Sequence, residues 1–176
     1  MKKYKTFWLR LLALFIDGLV FLPLSWVDEY VLSGAVGAYG IVGWGIFYSL
    51  ISIAYYVLMH VKFGQTLGKM AVRVKVLNVT EEGYISLKQA CIRYIPLFAA
   101  LPMGVMMYVY LAFYPSEIEA FSSSNFVLYT AGAAIVWALL DIVTFIFQEE
   151  RRALHDLIAG SVVVRVSARE RAENDS

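Results

Sequence analysis

Four apolar stretches, each long enough to cross a lipid bilayer, constrain the fold of this 176-residue chain more than any other feature. They cover residues 7–27, 36–60, 95–114 and 126–148. A membrane-spanning helix needs about 20 predominantly apolar residues to cross a hydrocarbon core of about 30 Å. The first stretch contains charged residues and lacks the small-residue cleavage pattern of a signal peptide, so we interpret it as a retained helix. The sequence therefore predicts four transmembrane helices.

The composition excludes several other classes of protein. Hydrophobic residues make up 60% of the chain and charged residues only 16%, whereas soluble domains are about 45–50% apolar and about 25% charged. A net charge of +1 does not indicate nucleic acid as a partner. The single cysteine, Cys91, cannot form an intramolecular disulfide, and no Cys/His cluster indicates a metal site. We therefore expect an all-α integral membrane protein that holds no metal and no cofactor.

The positive charges predict the orientation of the four helices. All 15 Lys and Arg residues precede or open the first stretch, lie between the second and third, or follow the fourth. The other two connections carry acidic residues only. The positive-inside rule then places both termini and the middle connection in the cytoplasm, in a multi-pass arrangement. A basic cytoplasmic face of this kind is expected to attract anionic lipid headgroups.

The cytoplasmic segments carry patterns of regular structure. Residues 72–87 alternate polar and apolar positions on both sides of a turn, which predicts a β-hairpin. Ser86 and Gln89 have the spacing of a capping box, which predicts a helix start. After the fourth stretch, residues 149–159 are compatible with a helix that Gly160 ends, and 161–166 resemble a strand. We expect interfacial helices and a small cytoplasmic sheet made of the hairpin plus the C-terminal strand, within one membrane domain over residues 1–166. Residues 167–176 form a polar tail.

A set of motifs distributed over the chain resembles a known family. The matching residues are Arg10 and Asp17 in the first stretch, Gly64, Thr66, Gly68 and Lys69 after the second, Arg93 before the third, and His155, Asp156 and Gly160 after the fourth. Over residues 8–165 the chain resembles the RDD family of small bacterial membrane proteins, named for an arginine and two aspartates. The resemblance implies a location in the bacterial cytoplasmic membrane and a link to transport, without an established reaction. Arg10 and Asp17 match the first two name-giving positions. Asp141 is our choice for the third, and Asp156 is the competing candidate.

The charges within the apolar stretches are expected to meet. Arg10 and Asp17 are seven residues apart, which on a helix is a rotation of about 700° and places them on one face. Asp141 shares a face with two alanines in the fourth stretch, and its depth lies between those of Arg10 and Asp17. A charge at the bilayer centre costs at least ~2.5–3.5 kcal/mol, so such residues are usually paired or functional. Two interpretations stay open for this cluster: a proton or ion site, or a static network of salt bridges.

Other polar motifs are weaker candidates. The segment from Gly64 to Lys69 lacks the spacing of a phosphate-binding loop, and we expect a turn into an interfacial helix with Lys69 near lipid headgroups. His155 and Asp156 are adjacent in sequence, and helix capping or packing is the ordinary interpretation of such a pair. His60 is expected at the membrane interface. No nucleophile–base pair or nucleotide-binding loop stands out, so we expect that the protein is not an enzyme.

Two functional hypotheses follow. The first is a membrane protein that assists transport of an ion or small solute through Arg10, Asp17 and Asp141. Because four spans are few for a solitary carrier, this hypothesis predicts a homodimer or larger assembly. The alternative is a non-enzymatic regulatory or scaffold subunit that binds another membrane protein, such as a membrane protease or transporter. Under that alternative, the charged cluster is structural.

Overall fold

A computed structural model describes residue 4 and residues 6–166 of the chain. The helices are α1 (Phe7–Val20), α2 (Leu22–Tyr30), α3 (Gly37–Phe63), α4 (Leu67–Ala71), α5 (Leu87–Arg93), α6 (Ile95–Phe113), α7 (Ile118–Ser122), α8 (Asn125–Phe147) and α9 (Leu154–Ile158). A π-helical turn (Val31–Ala35) follows α2, and a 3₁₀ turn (Pro115–Glu117) precedes α7. The two strands are β1 (Val74–Asn78) and β2 (Ser161–Arg165). The polar tail predicted at 167–176 lies outside the described residues.

Three of the four predicted stretches coincide with single long helices. Helices α3, α6 and α8 are long and apolar enough to cross a membrane. The first stretch is a bent pair: α1 meets the helical run from Leu22 to Ala35 at an angle of 42°. Pro23 lies in the first turn of α2 and has no backbone N–H to continue the helix from α1. Residues 28–35, expected as a loop, are therefore helical, and this first pair makes a fourth span only if it crosses as one unit.

The outer surface of the helices is apolar. Trp8, Leu128 and Phe147 are 78%, 64% and 82% exposed. No residue of α6 is buried, and Phe145 is the only buried residue of α8. Apolar surface on this scale is typical of a protein that needs lipid or another apolar partner around it.

The sheet differs from the prediction. Strands β1 and β2 pair antiparallel, with Val74 opposite Arg165 and Asn78 opposite Ser161. The expected second strand of a hairpin, at 84–87, is reduced to one bridge between Leu77 and Tyr84. The prediction of a three-stranded sheet is thus wrong, because Ser86 is the N-cap of α5 and forms a capping box with Gln89 instead of continuing a strand. Ser86 Oγ accepts the N–H of Gln89 and the Gln89 side chain accepts the N–H of Ser86, which confirms the predicted start of α5.

A small apolar core lies where the sheet meets the ends of the long helices. Val74, Val76 and Val163 of the sheet pack with Val57 of α3 and Ala90 of α5, and all are buried. This core holds the short segments after α3 and α8 against the helices. The polar residues of those segments are thereby placed beside α1.

Candidate functional site

Asp156 is a fully buried carboxylate that two arginines share. Arg10 Nη1 of α1 lies 2.7 Å from its Oδ2, and Arg93 Nη1 of α5 donates to its Oδ1. The hydroxyl of Ser161 also donates to Oδ1, at 3.2 Å. Burial alone would raise the pKa of Asp156, but the charges of Arg93 and Arg10 hold it well below its usual range. We call Asp156, Arg10 and Arg93 the arginine centre.

The first turn of α9 supplies Asp156, the carboxylate of the arginine centre. Asp156 reaches back to accept the N–H of Ala153 at 3.2 Å, as a helix-capping carboxylate does. Gly160 then ends α9 with a φ of +62°, a left-handed conformation that suits glycine. The turn places Ser161, the first residue of β2, against both Arg93 and Asp156.

Asp17 is the second buried carboxylate, and its hydrogen-bond donors are all neutral. Its Oδ2 accepts the hydroxyl of Thr66 at 2.6 Å. Its Oδ1 accepts the Tyr55 hydroxyl at 2.7 Å and the backbone N–H of Gly68 at 2.8 Å. Among the described residues no Lys, Arg or His nitrogen lies within 4.0 Å of it. We call Asp17 and these three donors the neutral-donor centre.

The segment from Gly64 to Lys69 is shaped to receive Asp17. Gly64 ends α3 at a φ of +67°. Thr66 caps α4 by accepting the N–H of Lys69. A Cβ on Gly68 would lie 2.1 Å from the Ala13 carbonyl oxygen of α1, so only glycine permits this approach. The predicted turn into a short helix is confirmed. Thr66 and Gly68 at the start of that helix donate hydrogen bonds to the carboxylate of Asp17.

Lys69 and His60 form a further polar contact nearby. His60 is fully buried, its Nδ1 donates to the Tyr56 carbonyl at 2.7 Å, and its Nε2 lies 2.7 Å from Lys69 Nζ. Since a carbonyl only accepts, Nδ1 carries the proton and Nε2 accepts from Lys69. Burial and the charge of Arg93 lower the pKa of Lys69 well below its usual range. Lys69 Nζ is thus directed toward the buried His60, and the placements of Lys69 near lipid headgroups and of His60 at the membrane interface stay predictions.

Asp141 pairs with His155 at the junction of α8 and α9. Its Oδ2 lies 2.8 Å from His155 Nδ1, and its Oδ1 accepts the His155 backbone N–H at 3.1 Å. Burial and the charge of Arg93 lower the pKa of His155, although the hydrogen bond to Asp141 opposes this shift. Both side chains are about a quarter exposed, at 22% for Asp141 and 25% for His155. This pair therefore borders the outside of the buried network.

A comparison with family models assigns the chain. The RDD family model matches residues 4–160, which covers most of the sequence and all of the centres described above. The chain belongs to the RDD family. Neither the curated proteins nor the solved structures contain a match to this RDD protein.

The structure of this RDD protein does not join Arg10, Asp17 and Asp141 directly. Each has its own partner: Arg10 bonds Asp156, Asp17 bonds Thr66, and Asp141 bonds His155. The predicted packing of the first and fourth helices around all three side chains overlooked the short helices α4 and α9. These helices insert between the long ones and supply the partners. Of the two candidates for the third name-giving residue, Asp156 is the one that Arg10 contacts.

Tyr55 is a site residue that the sequence analysis missed as a ligand of Asp17. The signal for the other two donors lay in the spacing of Gly64, Thr66 and Gly68, in which two glycines flank a helix-capping threonine. Within residues 6–166, no three His, Cys, Asp or Glu side chains come together as a group able to hold a metal ion.

Proposed function

We propose that this RDD protein transports a proton or small cation across the bacterial cytoplasmic membrane, with the carboxylate of Asp17 as the binding group. The observation that carries the proposal is the neutral-donor centre. Asp17 is 3% exposed and lies in a helix of the membrane domain. Ionisable residues at such positions usually mark ion pathways or proton relays.

The contrast with the arginine centre supports Asp17 as the exchange site. A proton or cation that bound Asp156 would displace the charge of Arg10 or Arg93 and leave it unpaired in a buried place. Asp17 can bind a proton or cation without breaking an ion pair. The proposal thus moves Arg10 from the transport site to a structural role, and assigns no chemical reaction to the protein.

The proposal includes an orientation and an assembly. Both termini and the short helices α4 and α9 lie on the cytoplasmic side, where exposed cations such as Lys62 and Lys88 meet anionic headgroups. Two copies associate through the largely exposed apolar surface of α8. Crosslinking in mild detergent is expected to give a dimer, and a monomer at every protein concentration would contradict the assembly.

Asp17→Asn tests the transport proposal with little change in shape. The asparagine oxygen can still accept from Tyr55 and Gly68, and its amide can donate to the Thr66 oxygen. The loss in stability is therefore expected to be near that of one hydrogen bond, about 1 kcal/mol. The charge that binds a proton or cation is lost, so the transport rate should fall to background.

The measurement uses purified protein in liposomes that contain pH-sensitive and sodium-sensitive dyes. Ion flux is recorded after a pH or cation gradient is imposed. Glu29→Gln is the matched control, because it removes an exposed carboxylate from α2 and should leave the flux unchanged. Equal flux from the wild type and Asp17→Asn, at equal thermal stability, would contradict the proposal.

A second candidate function is a regulatory or scaffold subunit that binds another membrane protein. The observation that favours it is the completeness of the polar network. No enclosed side-chain nitrogen or oxygen of the described residues lacks a hydrogen-bond partner. Such completeness is typical of a network that fixes one packing arrangement. This alternative predicts that Asp17→Asn lowers capture of a membrane partner and that no flux is present to lose.

A further inference from the structure

Helix α3 carries a line of polar and aromatic side chains that winds around it. Successive members are four residues apart and therefore neighbours, and at about 100° per residue the line turns by about 160° around the helix over its whole length. Its members are Trp44, Tyr48, Ser52, Tyr56 and His60. Trp44, Tyr48, Ser52 and Tyr56 are partly buried, and His60 is fully buried. From Trp44 to His60 the line extends about 24 Å, most of the thickness of a hydrocarbon core of about 30 Å. We call these five residues the α3 line.

One end of the α3 line meets a third carboxylate. Asp28 of α2 accepts the Trp44 indole N–H at 2.9 Å and the Tyr108 hydroxyl of α6 at 2.6 Å. Both donors bind Oδ1, and Oδ2 has no hydrogen bond to any described residue. A Cβ on Gly45 would lie 2.4 Å from the Tyr108 ring, so glycine at this position lets α6 pack close to α3. This packing places the Tyr108 hydroxyl within hydrogen-bonding distance of Asp28. Asp28 thus has one oxygen free to bind a proton, a cation or water.

The other end of the α3 line meets the neutral-donor centre. The rings of Tyr56 and Tyr55 are 5.1 Å apart, and the Tyr55 hydroxyl donates to Asp17. Phe21, at the break between α1 and α2, packs against both tyrosine rings. Asp28 and Asp17, two carboxylates that form no ion pair with any described residue, therefore lie near opposite ends of the α3 line.

The middle of the α3 line has polar groups without protein partners. The Tyr48 ring lies 6.3 Å from the Trp44 ring, and the Tyr56 ring lies 5.6 Å from the Tyr94 ring. The hydroxyls of Tyr48 and Tyr56 form no hydrogen bond with any described residue. Because every enclosed polar side-chain atom of those residues is bonded, these two hydroxyls lie at the accessible surface of the protein. In a membrane-spanning bundle, unbonded polar groups are costly unless they line a water-filled cavity.

We infer that water fills a narrow path along the α3 line and that protons or small cations pass through it between Asp28 and Asp17. This inference rests on the proposed function and adds the route and its second carboxylate. Asp28 is the binding group at the end away from α4 and α9, and the tyrosine hydroxyls and Ser52 bond the water between the two carboxylates.

Cysteine accessibility tests whether the path holds water, independently of any flux. Ser52→Cys and Leu50→Cys are made in a Cys91→Ala background, since Cys91 is the only native cysteine. Leu50 is 55% exposed on the outside of the same helix and serves as the lipid-facing control. Thiols react as thiolates, which need water to form, so a small charged methanethiosulfonate should label Ser52→Cys at least about tenfold faster. Equally slow labelling at both positions in liposomes would overturn the inference.

Flux measurements test whether the path conducts. Asp28→Asn and Tyr48→Phe are expected to reduce the Asp17-dependent flux severalfold, whereas Tyr39→Phe, at an 86% exposed position of α3, should leave it unchanged. Flux lost in Asp17→Asn but intact in Asp28→Asn and Tyr48→Phe would overturn the path and leave the proposed function standing. Wild-type protein without Asp17-dependent flux would overturn both, even where Ser52→Cys is labelled.

Discussion

Asp156 and Asp17 are the same chemical group in two different electrostatic surroundings. Both are buried and both are held by a short helix that packs against α1 or its neighbours. Asp156 is neutralised by two guanidinium groups, whereas Asp17 accepts only hydroxyl and backbone N–H donors. A buried ion pair costs much free energy to break, while a carboxylate with neutral donors can change its charge at lower cost. This difference is the basis for our proposal that Asp156 is structural and that Asp17 is the exchangeable site.

Asp156→Asn is expected to have the largest effect on stability. The substitution leaves Arg10 and Arg93 without a counter-charge in a buried place, and breaking such a pair costs roughly 3–5 kcal/mol. Denaturant unfolding in detergent micelles measures this loss. The comparison with Asp17→Asn, expected to lose only about 1 kcal/mol, is the decisive one. Equal losses from the two substitutions would refute the distinction between the centres.

A surface ion pair provides the control for Asp156→Asn. Glu150 lies 3.7 Å from Arg152, and its side chain is 45% exposed. Exposed pairs of this kind contribute about 0–1 kcal/mol. Glu150→Gln should therefore leave the unfolding midpoint almost unchanged. A large loss from this substitution would show that the assay responds to charge in general rather than to the arginine centre.

Gly68→Ala is expected to have a smaller effect, confined to the neutral-donor centre. The added Cβ meets the Ala13 carbonyl and the Asp17 carboxylate, so α4 must move away from α1. Overpacking of this kind costs roughly 1–3 kcal/mol. Gly18→Ala, where no heavy atom lies within 4 Å of the new Cβ, should instead gain about 0.5–1 kcal/mol of helix stability. If the two alanines have the same effect, close packing of α4 does not shape the centre.

The long helices could be predicted from the sequence because their signals are local. Apolar length located α3, α6 and α8, and the spacing of Ser86 and Gln89 located the start of α5. The placement of Arg10 and Asp17 on one helical face also follows from periodicity. Periodicity describes one element at a time, which is why these predictions agree with the structure.

The partners of the charged residues could not be predicted in the same way. Arg10 bonds a residue 146 positions away in sequence, and the Thr66 donor to Asp17 is 49 positions away. The depths counted along the first and fourth helices placed Asp141 near Arg10. That count assumed that the segments between the long helices supply no partner for either residue. In the structure α9 inserts its own aspartate, Asp156, and β2 rather than the 84–87 segment pairs with β1. Such contacts depend on how short elements pack, which no local pattern records.

The pH dependence of stability gives the smallest and most specific test. Burial lowers the pKa of His155 in the folded protein below its unfolded value near 6.5. Since the unfolded chain then binds the proton more tightly, this residue contributes stability above a pH of about 6.5, and that contribution is lost as the pH falls toward the folded pKa. Asp156 has a lowered pKa too, but its contribution is lost only below a pH of about 4. Thermal unfolding between pH 8 and pH 5 should therefore show a decline that His155→Gln reduces by a few degrees without abolishing it, because burial also lowers the pKa of Lys69. A decline of equal size in His155→Gln would assign the pH dependence elsewhere, whereas a smaller one would show that the outer pair with Asp141 contributes its own part of it.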